Sequence, residues 1–557
     1  MIFAERKVLF FMSGWLVVNL LQASLTGLAN DEAYYWVYAR YLDIGYYDHP
    51  PMIAWLIWPG YWLLEGETGL RLLVIILGAL TFPLLFLLAG KRDFNLLALL
   101  YCSITVFQLY GFIAVPDAPL LFFTVFFFYA YKNYLRENSR KATLLLILAI
   151  VLMLYSKYHG FLVLFFTLLS NPSLFRRKSF YAVTGGVLLL YAPHIWWQIN
   201  HDYPSYQYHV LNKSQTDFNF ADLLTLPGGL FLVAGPLITP FLVYALIQHR
   251  AVDPLFRALK FTCWGFCIFF FLSTFNAPIE ANWLAAAVVP LILIGHEYIS
   301  ASAALKKGVT VFAWTSILIF AFSRVNLATN VVPSLGGKLL PEFYGWNGWA
   351  DEVKKQSRGL PVVMMNSYQM ASKYSFHSGK DALSLNNVAY RSNQYDIWSI
   401  ADSLQGKTVA LFMPYAENRD SLKTFDTPRG KMQMLVIENF RSYNKVRIKT
   451  AKDWYHFKHG EEVFIPLTFH LENNNPQHFY HNPQYPVSLV YTRYYYDRHD
   501  GEFMLLDLDD AVITPGQTYT ARIQLPEKTG PYYLRFSIRT GWMPPGLNSH
   551  IIRMDVE

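Results

Sequence analysis

The sequence predicts an α-helical polytopic membrane domain followed by two smaller soluble domains, an α/β domain and a β-sandwich. Three observations carry that prediction. Of 557 residues, 54% are apolar, 17% aromatic and only 15% charged, where an ordinary globular domain carries about a quarter charged. Apolar tracts on the scale of a bilayer crossing recur through residues 1–324. Beyond residue 325 they give way to short strand-like runs separated by Gly, Pro and Asn turns.

Eleven tracts qualify as candidate spans: 8–28, 68–90, 95–113, 119–135, 143–155, 160–172, 180–198, 222–246, 259–274, 283–299 and 309–324. The first follows Arg6 and Lys7 and imitates a signal peptide. No small-residue cleavage site follows it, so it reads as a membrane helix. The turns between tracts divide sharply by charge. One alternate set, with its bordering span ends, holds sixteen Lys and Arg residues, among them Lys91, Arg92, Arg140, Lys141, Arg176, Arg177, Lys306 and Lys307. The other holds Arg40, Lys157 and Lys213, with Arg71 just inside a span. The positive-inside rule makes the first set cytoplasmic and the second outward. An odd number of crossings then places the C-terminal domains outside as well, in the periplasm of a bacterial inner membrane.

The net charge of +7 is spread over these turns rather than grouped on one soluble face, which excludes a nucleic-acid partner. Cys102, Cys263 and Cys267 all lie in apolar tracts and read as small buried residues. Residues 325–438 alternate helix-like stretches with β-rich runs such as Pro361-Val-Val-Met-Met365 and Thr408-Val-Ala-Leu-Phe-Met413, the pattern of a small α/β domain. Residues 439–557 alternate along successive strands and fit a β-sandwich.

The outward segments 29–67, 114–118, 156–159, 199–221 and 275–282 concentrate polar chemistry. Asp31 and Glu32 open the first, followed by Tyr34, Tyr35 and Trp36. Adjacent carboxylates beside a membrane span are expensive to desolvate, which marks them as functional candidates. Asn30 or Asp31 also suits a helix N-cap, and cap and catalyst are compatible. Asp48-His49-Pro50-Pro51 follows. Pro51 suits the first turn of an interfacial helix over 51–64, whose N-terminus would favour an anion near Asp48 and His49. His49 suits phosphate donation, metal ligation or a structural hydrogen bond. Asp117 is fixed between Pro116 and Ala118-Pro119. Lys157 places a cation between two spans, either to neutralise a phosphate or to snorkel. His201 adds an imidazole to a segment rich in tyrosine. Asp48, His49 and His201 together also compose a divalent-metal reading.

The ordered set Asp31-Glu32-Ala-Tyr-Tyr-Trp36, Tyr47-Asp48-His49-Pro50-Pro51, Pro116-Asp117-Ala118-Pro119 and Ser156-Lys157-Tyr158 resembles the bacterial protein-mannosyltransferase-like group, of family 39 type, which includes the lipid A aminoarabinose transferases. The likeness continues through Trp196-Trp197-Gln198-Ile199-Asn200-His201, Glu280-Ala-Asn282-Trp283 and Gln394-Tyr395-Asp396-Ile397-Trp398, covering roughly residues 1–410. The resemblance implies a GT-C fold with catalysis in outward loops, a polyprenyl-phosphate sugar donor and direct inverting transfer. It implies Asp31 as catalytic base and Asp117 as the second-loop carboxylate. Where the aminoarabinose transferases carry a lysine after the acidic residue, this chain has His49, a departure that leaves the sugar open.

The expected activity is therefore inverting transfer of a sugar from a polyprenyl-phosphate carrier to lipid A, another glycolipid or a protein. Asp31 and Asp117 are the expected catalytic pair, with Glu32, Tyr35, Asp48, His49, Lys157 and His201 lining the substrate site. A transporter or flippase of a lipid-linked glycan is the alternative. It would place charges within spans and often shows internal repeats, and no repeat is visible. A scaffold presenting the β-sandwich is the third reading, but it gives the acidic loops no role.

Overall fold

The computed structural model describes residues 2–212, 219–414, 422–471, 475–495 and 498–557; Lys213 lies outside them. The chain divides into two compact units, Met1–Tyr344 and Gly345–Glu557.

The first unit is helical. Its elements are α1 (Ile2–Leu25), α2 (Asn30–Arg40), α3 (Met52–Leu63), α4 (Gly66–Leu88), α5 (Phe94–Ser103), α6 (Thr105–Leu109), α7 (Asp117–Arg136), α8 (Arg140–Ser156), α9 (Gly160–Ser170) and α10 (Lys178–Asn200). There follow the short turn α11 (Pro204–Tyr206), then α12 (Thr225–Ala234), α13 (Thr239–Gln248), α14 (Pro254–Ser273), α15 (Ala285–Ser300) and α16 (Ala303–Thr329). Helix thus occupies all eleven apolar tracts. Among the described residues, however, five helices are long and apolar enough to cross a membrane unbroken: Glu5–Leu25, Gly66–Leu88, Pro254–Ser273, Ala281–Ser300 and Ala303–Thr329.

The remaining tracts depart from a simple span for visible reasons. Phe220–Ala234 and Thr239–Gln248 pass the same test only together, and they are turned by 105° at their junction. The junction needs a glycine. Gly235 has φ of +92°, and a Cβ there would fall 2.7 Å from the Ser103 carbonyl oxygen. Ile104, in extended conformation, separates α5 from α6. Helices α8 and α9 are short, with 17 and 11 residues. Helices α7 and α10 are long but carry Asp117, Lys132 and Arg136 in one and His194 and Gln198 in the other. Among the described residues, then, eleven helical tracts are present, and five or six are long and apolar enough to cross a membrane.

A close approach sets the position of α4. A Cβ at Gly69 would lie 1.2 Å from the Leu64 carbonyl oxygen, and one at Gly60 would lie 2.5 Å from that of Gly69. Helices α3 and α4 therefore meet backbone to backbone, and Arg71, two residues further on, is carried into the interior with 0% exposure.

The second unit opens with α17 (Trp346–Ser357) and a mixed sheet in the order β2-β1-β3-β5-β4. Its strands are β1 (Val362–Met365), β2 (Ala382–Leu385), β3 (Val409–Met413), β4 (Lys423–Thr427) and β5 (Gly430–Ile437), with helices α18 (Tyr368–Ser378) and α19 (Ile400–Leu404). β1 pairs in parallel with β2 and β3, and β5 antiparallel with β3 and β4. β1 and β3 are buried at every residue, which explains why they read as unbroken apolar runs.

The rest of the unit holds β6 (Arg447–Thr450), β7 (Trp454–Phe457), β8 (Val463–His470), β9 (Gln477–His478), β10 (Val487–Tyr495) and β11 (Arg498–Asp507). β12 (Val512–Ile513), β13 (Thr518–Ile523), β14 (Gly530–Thr540) and β15 (Ile552–Val556) complete it. Five strands order as β11-β10-β14-β15-β7 and three as β13-β8-β6. Val463, Ile465, Leu467 and Phe469 alternate inward from β8 and share one core with Leu489, Tyr491, Leu534, Phe536 and Ile538 of the larger sheet. That is the two-layer packing of a β-sandwich.

Candidate active site

Helix α2 organises the site. Its two opening carboxylates have opposite environments: Asp31 is exposed, whereas Glu32 is fully buried. Both oxygens of Glu32 are engaged. Oε1 accepts from Arg71 Nε at 2.7 Å and from the Ala114 amide at 2.8 Å. Oε2 accepts from Arg71 Nη2 at 2.5 Å and from the Ala29 amide at 2.8 Å. The Arg71 guanidinium also donates to the carbonyls of Ala23, Thr26 and Gly27. Glu32, expected to line the substrate site, thus ties α2 to α4 and to the loop before Asp117, and it sets the position of Asp31 next to it.

Asp48 is buried against the same helix. Its Oδ2 accepts from the Tyr34 and Tyr38 hydroxyls at 3.0 and 3.1 Å. These tyrosines stand four residues apart, on one face of α2. Burial, with Tyr34 and Asp48 alongside, pushes the Tyr38 hydroxyl well above its ordinary value, so it stays a neutral donor. Half-buried His49 lies edge-on to buried Tyr35, with ring centroids 5.8 Å apart. His209 comes within 6.1 Å of the His49 ring, and its Nε2 lies 2.9 Å from the Asp48 carbonyl oxygen, which can only accept.

Asp117 begins α7 and Lys157 ends α8. Lys157 Nζ donates to both Asp117 oxygens at 2.8 Å, and both side chains are almost fully buried. Asn282 and the charge of Glu280 lie near enough to influence the same carboxylate. Next in sequence, the Tyr158 hydroxyl donates to Ser205 at 2.8 Å and sits 3.0 Å from His194 Nε2. Ser205 donates in turn to the Tyr46 and Tyr47 carbonyls. Burial pushes the Tyr158 hydroxyl well up, and Asp48 adds to the effect. Trp197 Nε1 and Trp55 Nε1 donate to Asp43 and fix the start of the loop.

Tyr34, Tyr38 and Tyr35 thus join α2 to Asp48 and His49, Glu32 joins it to the loop that precedes Asp117, and Asp117 pairs with Lys157. His201 is placed differently, at the C-terminal end of α10, with its ring stacked on Trp197 at 4.2 Å and its Nδ1 2.8 Å from the Trp197 carbonyl. Among the described residues no three His, Cys, Asp or Glu side chains gather as a metal-ligand set, and Oδ2 of Asp48 accepts from two tyrosine hydroxyls. Sequence reasoning gave no site role to Tyr34, Tyr38, Arg71, Tyr158 and His209, although Tyr34 and Tyr158 stand within the motifs quoted above. The four-residue spacing of the two tyrosines was the available signal; the contacts of Arg71 and His209 are long-range and left none.

The family described as dolichyl-phosphate-mannose-protein mannosyltransferase matches residues 48–197, the stretch that contains Asp48, His49, Asp117 and Lys157. The lipid A galacturonosyltransferase RgtD of Rhizobium johnstonii is 25% identical over 369 residues, covering 62% of this chain and 75% of that protein. The chain resembles the protein-mannosyltransferase-like glycosyltransferases. The ArnT structure from Cupriavidus metallidurans in the apo state superposes with a TM-score of 0.58 at 13% identity, covering 77% of this chain and 98% of that one. ArnT from the same organism bound to undecaprenyl phosphate gives 0.58 and 13%, covering 78% and 98%. At that identity the shared property is the fold. The chain is a multi-pass membrane protein with the helical GT-C fold of ArnT.

Proposed function

We propose that the chain is an inverting glycosyltransferase, moving a sugar from a polyprenyl-phosphate carrier to a glycolipid such as lipid A, or to a protein, on the periplasmic face of a bacterial inner membrane. One observation carries the reading: exposed Asp31 stands beside a fully satisfied Glu32, which accepts from the Ala114 amide three residues before Asp117, the partner of buried Lys157. The similarity to RgtD and to the ArnT fold supports a polyprenyl-phosphate donor and a lipid A type of acceptor.

In this mechanism Asp31 takes the proton of the acceptor hydroxyl as its oxygen attacks the anomeric carbon. The bond from that carbon to the carrier phosphate breaks on the opposite face, so the configuration inverts. Charge then develops on the leaving phosphate. An ammonium has three N–H donors, and Asp117 takes two of those on Lys157, so the third is available to a phosphate oxygen. Asp117 keeps the ammonium aimed, and His49 supplies a second donor.

The test is transfer from a polyprenyl-phosphate sugar to lipid A by the purified protein in nanodiscs. Asp31→Asn is expected to lower the rate by roughly 100-fold or more while leaving donor binding intact. A wild-type rate for that variant would sink the assignment.

A further inference from the structure

The unit Gly345–Glu557 contains a cavity of about 370 Å3, at the edge strand β2 of the mixed sheet, within the size range of small-ligand sites. Trp398, Asp402, Gln405, Arg441, Lys445 and Tyr480 are among the residues that line it. We infer that this cavity binds a saccharide that carries an anionic group.

The charge argument comes from Arg441. Its guanidinium lies 4.1 Å over the Tyr480 ring, a cation–π contact that orients the group without consuming its N–H donors. Among the described residues it makes no hydrogen bond or ion pair, and its Nε is buried without an acceptor. Buried donors are normally satisfied, and a guanidinium presents five of them in a fork suited to carboxylate or phosphate. The neighbouring groups do not compete for that role. Lys445 donates to Asp402 at 2.6 Å. Buried Asp396 accepts from Asn386 and from the Asn393 amide, each at 2.9 Å. Gln405 is bonded in both directions to the Ser442 backbone. A ligand in the cavity can supply the acceptor that Arg441 lacks among the described residues.

The saccharide argument comes from the rest of the wall. Tyr480 is 46% exposed, leaving ring surface for the C–H faces of a sugar, and Trp398 adds a second aromatic group. Asp402 and Lys445 offer an acceptor and a donor for hydroxyls. An aromatic surface beside polar groups and one unsatisfied cation fits an acidic or phosphorylated sugar better than a bare ion or an apolar molecule.

The inference is independent of the transfer reaction and is tested without it. The full-length protein in nanodiscs is titrated with glucuronic acid, glucose 6-phosphate, glucose and inorganic phosphate, with binding read by isothermal titration calorimetry. Either anionic sugar should bind more tightly than glucose and than phosphate, and the tighter of the two identifies carboxylate or phosphate as the recognised group. Arg441→Gln should weaken that binding by roughly tenfold or more with thermal unfolding unchanged. Asp31→Asn should leave it unaltered, which separates this site from the proposed transfer site. If Arg441→Gln does not fold, Tyr480→Ala provides the same comparison. Equal binding of glucose and the anionic sugars, a match by phosphate alone, or undiminished binding by a folded Arg441 or Tyr480 variant would each overturn the inference.

Discussion

At the scale of single residues, the pair Lys157–Asp117 carries the sharpest consequence. Both side chains are only 3% and 4% exposed, so neither charge has water to fall back on if its partner is removed. Breaking such a pair costs about 3–5 kcal/mol, while replacing both members with apolar groups of similar volume is often neutral. Asp117→Asn should therefore unfold at a clearly lower temperature in detergent, whereas Asp117→Leu combined with Lys157→Met should recover much of the loss. Transfer should be absent from both. Thermal unfolding and a transfer assay on the three proteins check this; a single variant as stable as wild type would show that the pair is not load-sharing. Each of these residues was visible in the sequence, because Asp between prolines and Lys at a span end are uncommon. Their pairing was not, since nothing local links positions 40 residues apart. The same limit explains Glu32. Its position beside Asp31 suggested a shared role, and only the distant Arg71 reveals that the two carboxylates do different things.

At the scale of elements, Glu32 works as a staple between α2, α4 and the loop that leads to α7, and its loss should be felt as structure. Glu32→Gln leaves the Arg71 guanidinium buried and uncompensated, which should cost about 3–5 kcal/mol and lower the yield of folded protein. Asp31→Asn, one residue earlier and exposed, should leave stability unchanged. Size-exclusion yield and unfolding temperature of the two variants make the comparison, and equal damage from both would contradict it. Helix α18 offers a pH counterpart in the second unit. Burial, with Lys373 one turn away, lowers His377 to about 4, while the unfolded chain titrates near 6.5. Between those values the unfolded state binds a proton that the folded state refuses, so this stabilising contribution is full above about pH 6.5 and is lost progressively toward pH 4. His377→Gln should flatten that part of the stability profile, measured as the difference from wild type by chemical unfolding across the range. The helices themselves were largely legible as apolar tracts, and α3 (Met52–Leu63) falls where the Pro-Pro start placed it. The break at Ile104 and the turn at Gly235 were not, because each sits inside a continuous apolar run and depends on what packs against it.

At the scale of the whole molecule, hydropathy and turn charge settle different questions. Composition was enough to indicate a helical membrane part and a strand-rich part, since burial on both faces leaves β1 and β3 wholly apolar while β8 alternates. The number of crossings is harder to read, because tracts of similar hydropathy become long helices, short helices or the bent pair α12–α13. With the other ten tracts crossing, that pair determines the parity. If it crosses, Arg250, Arg257 and Lys260 stay on the basic side with Lys141, and the C-terminal unit emerges opposite the N-terminus. If it re-enters, those three cations move to the outward side, against the charge rule. Crossing is therefore the expected outcome. In a background with Cys102, Cys263 and Cys267 replaced, single cysteines at the exposed positions Lys141, Tyr206 and Lys458 test it. A membrane-impermeant maleimide applied to spheroplasts should label Tyr206→Cys and Lys458→Cys at once and Lys141→Cys only after lysis. Labelling of Lys458→Cys only after lysis, with Tyr206→Cys still reactive from outside, would identify α12–α13 as a re-entrant pair and place the cavity at Arg441 on the cytoplasmic side, out of reach of periplasmic glycans.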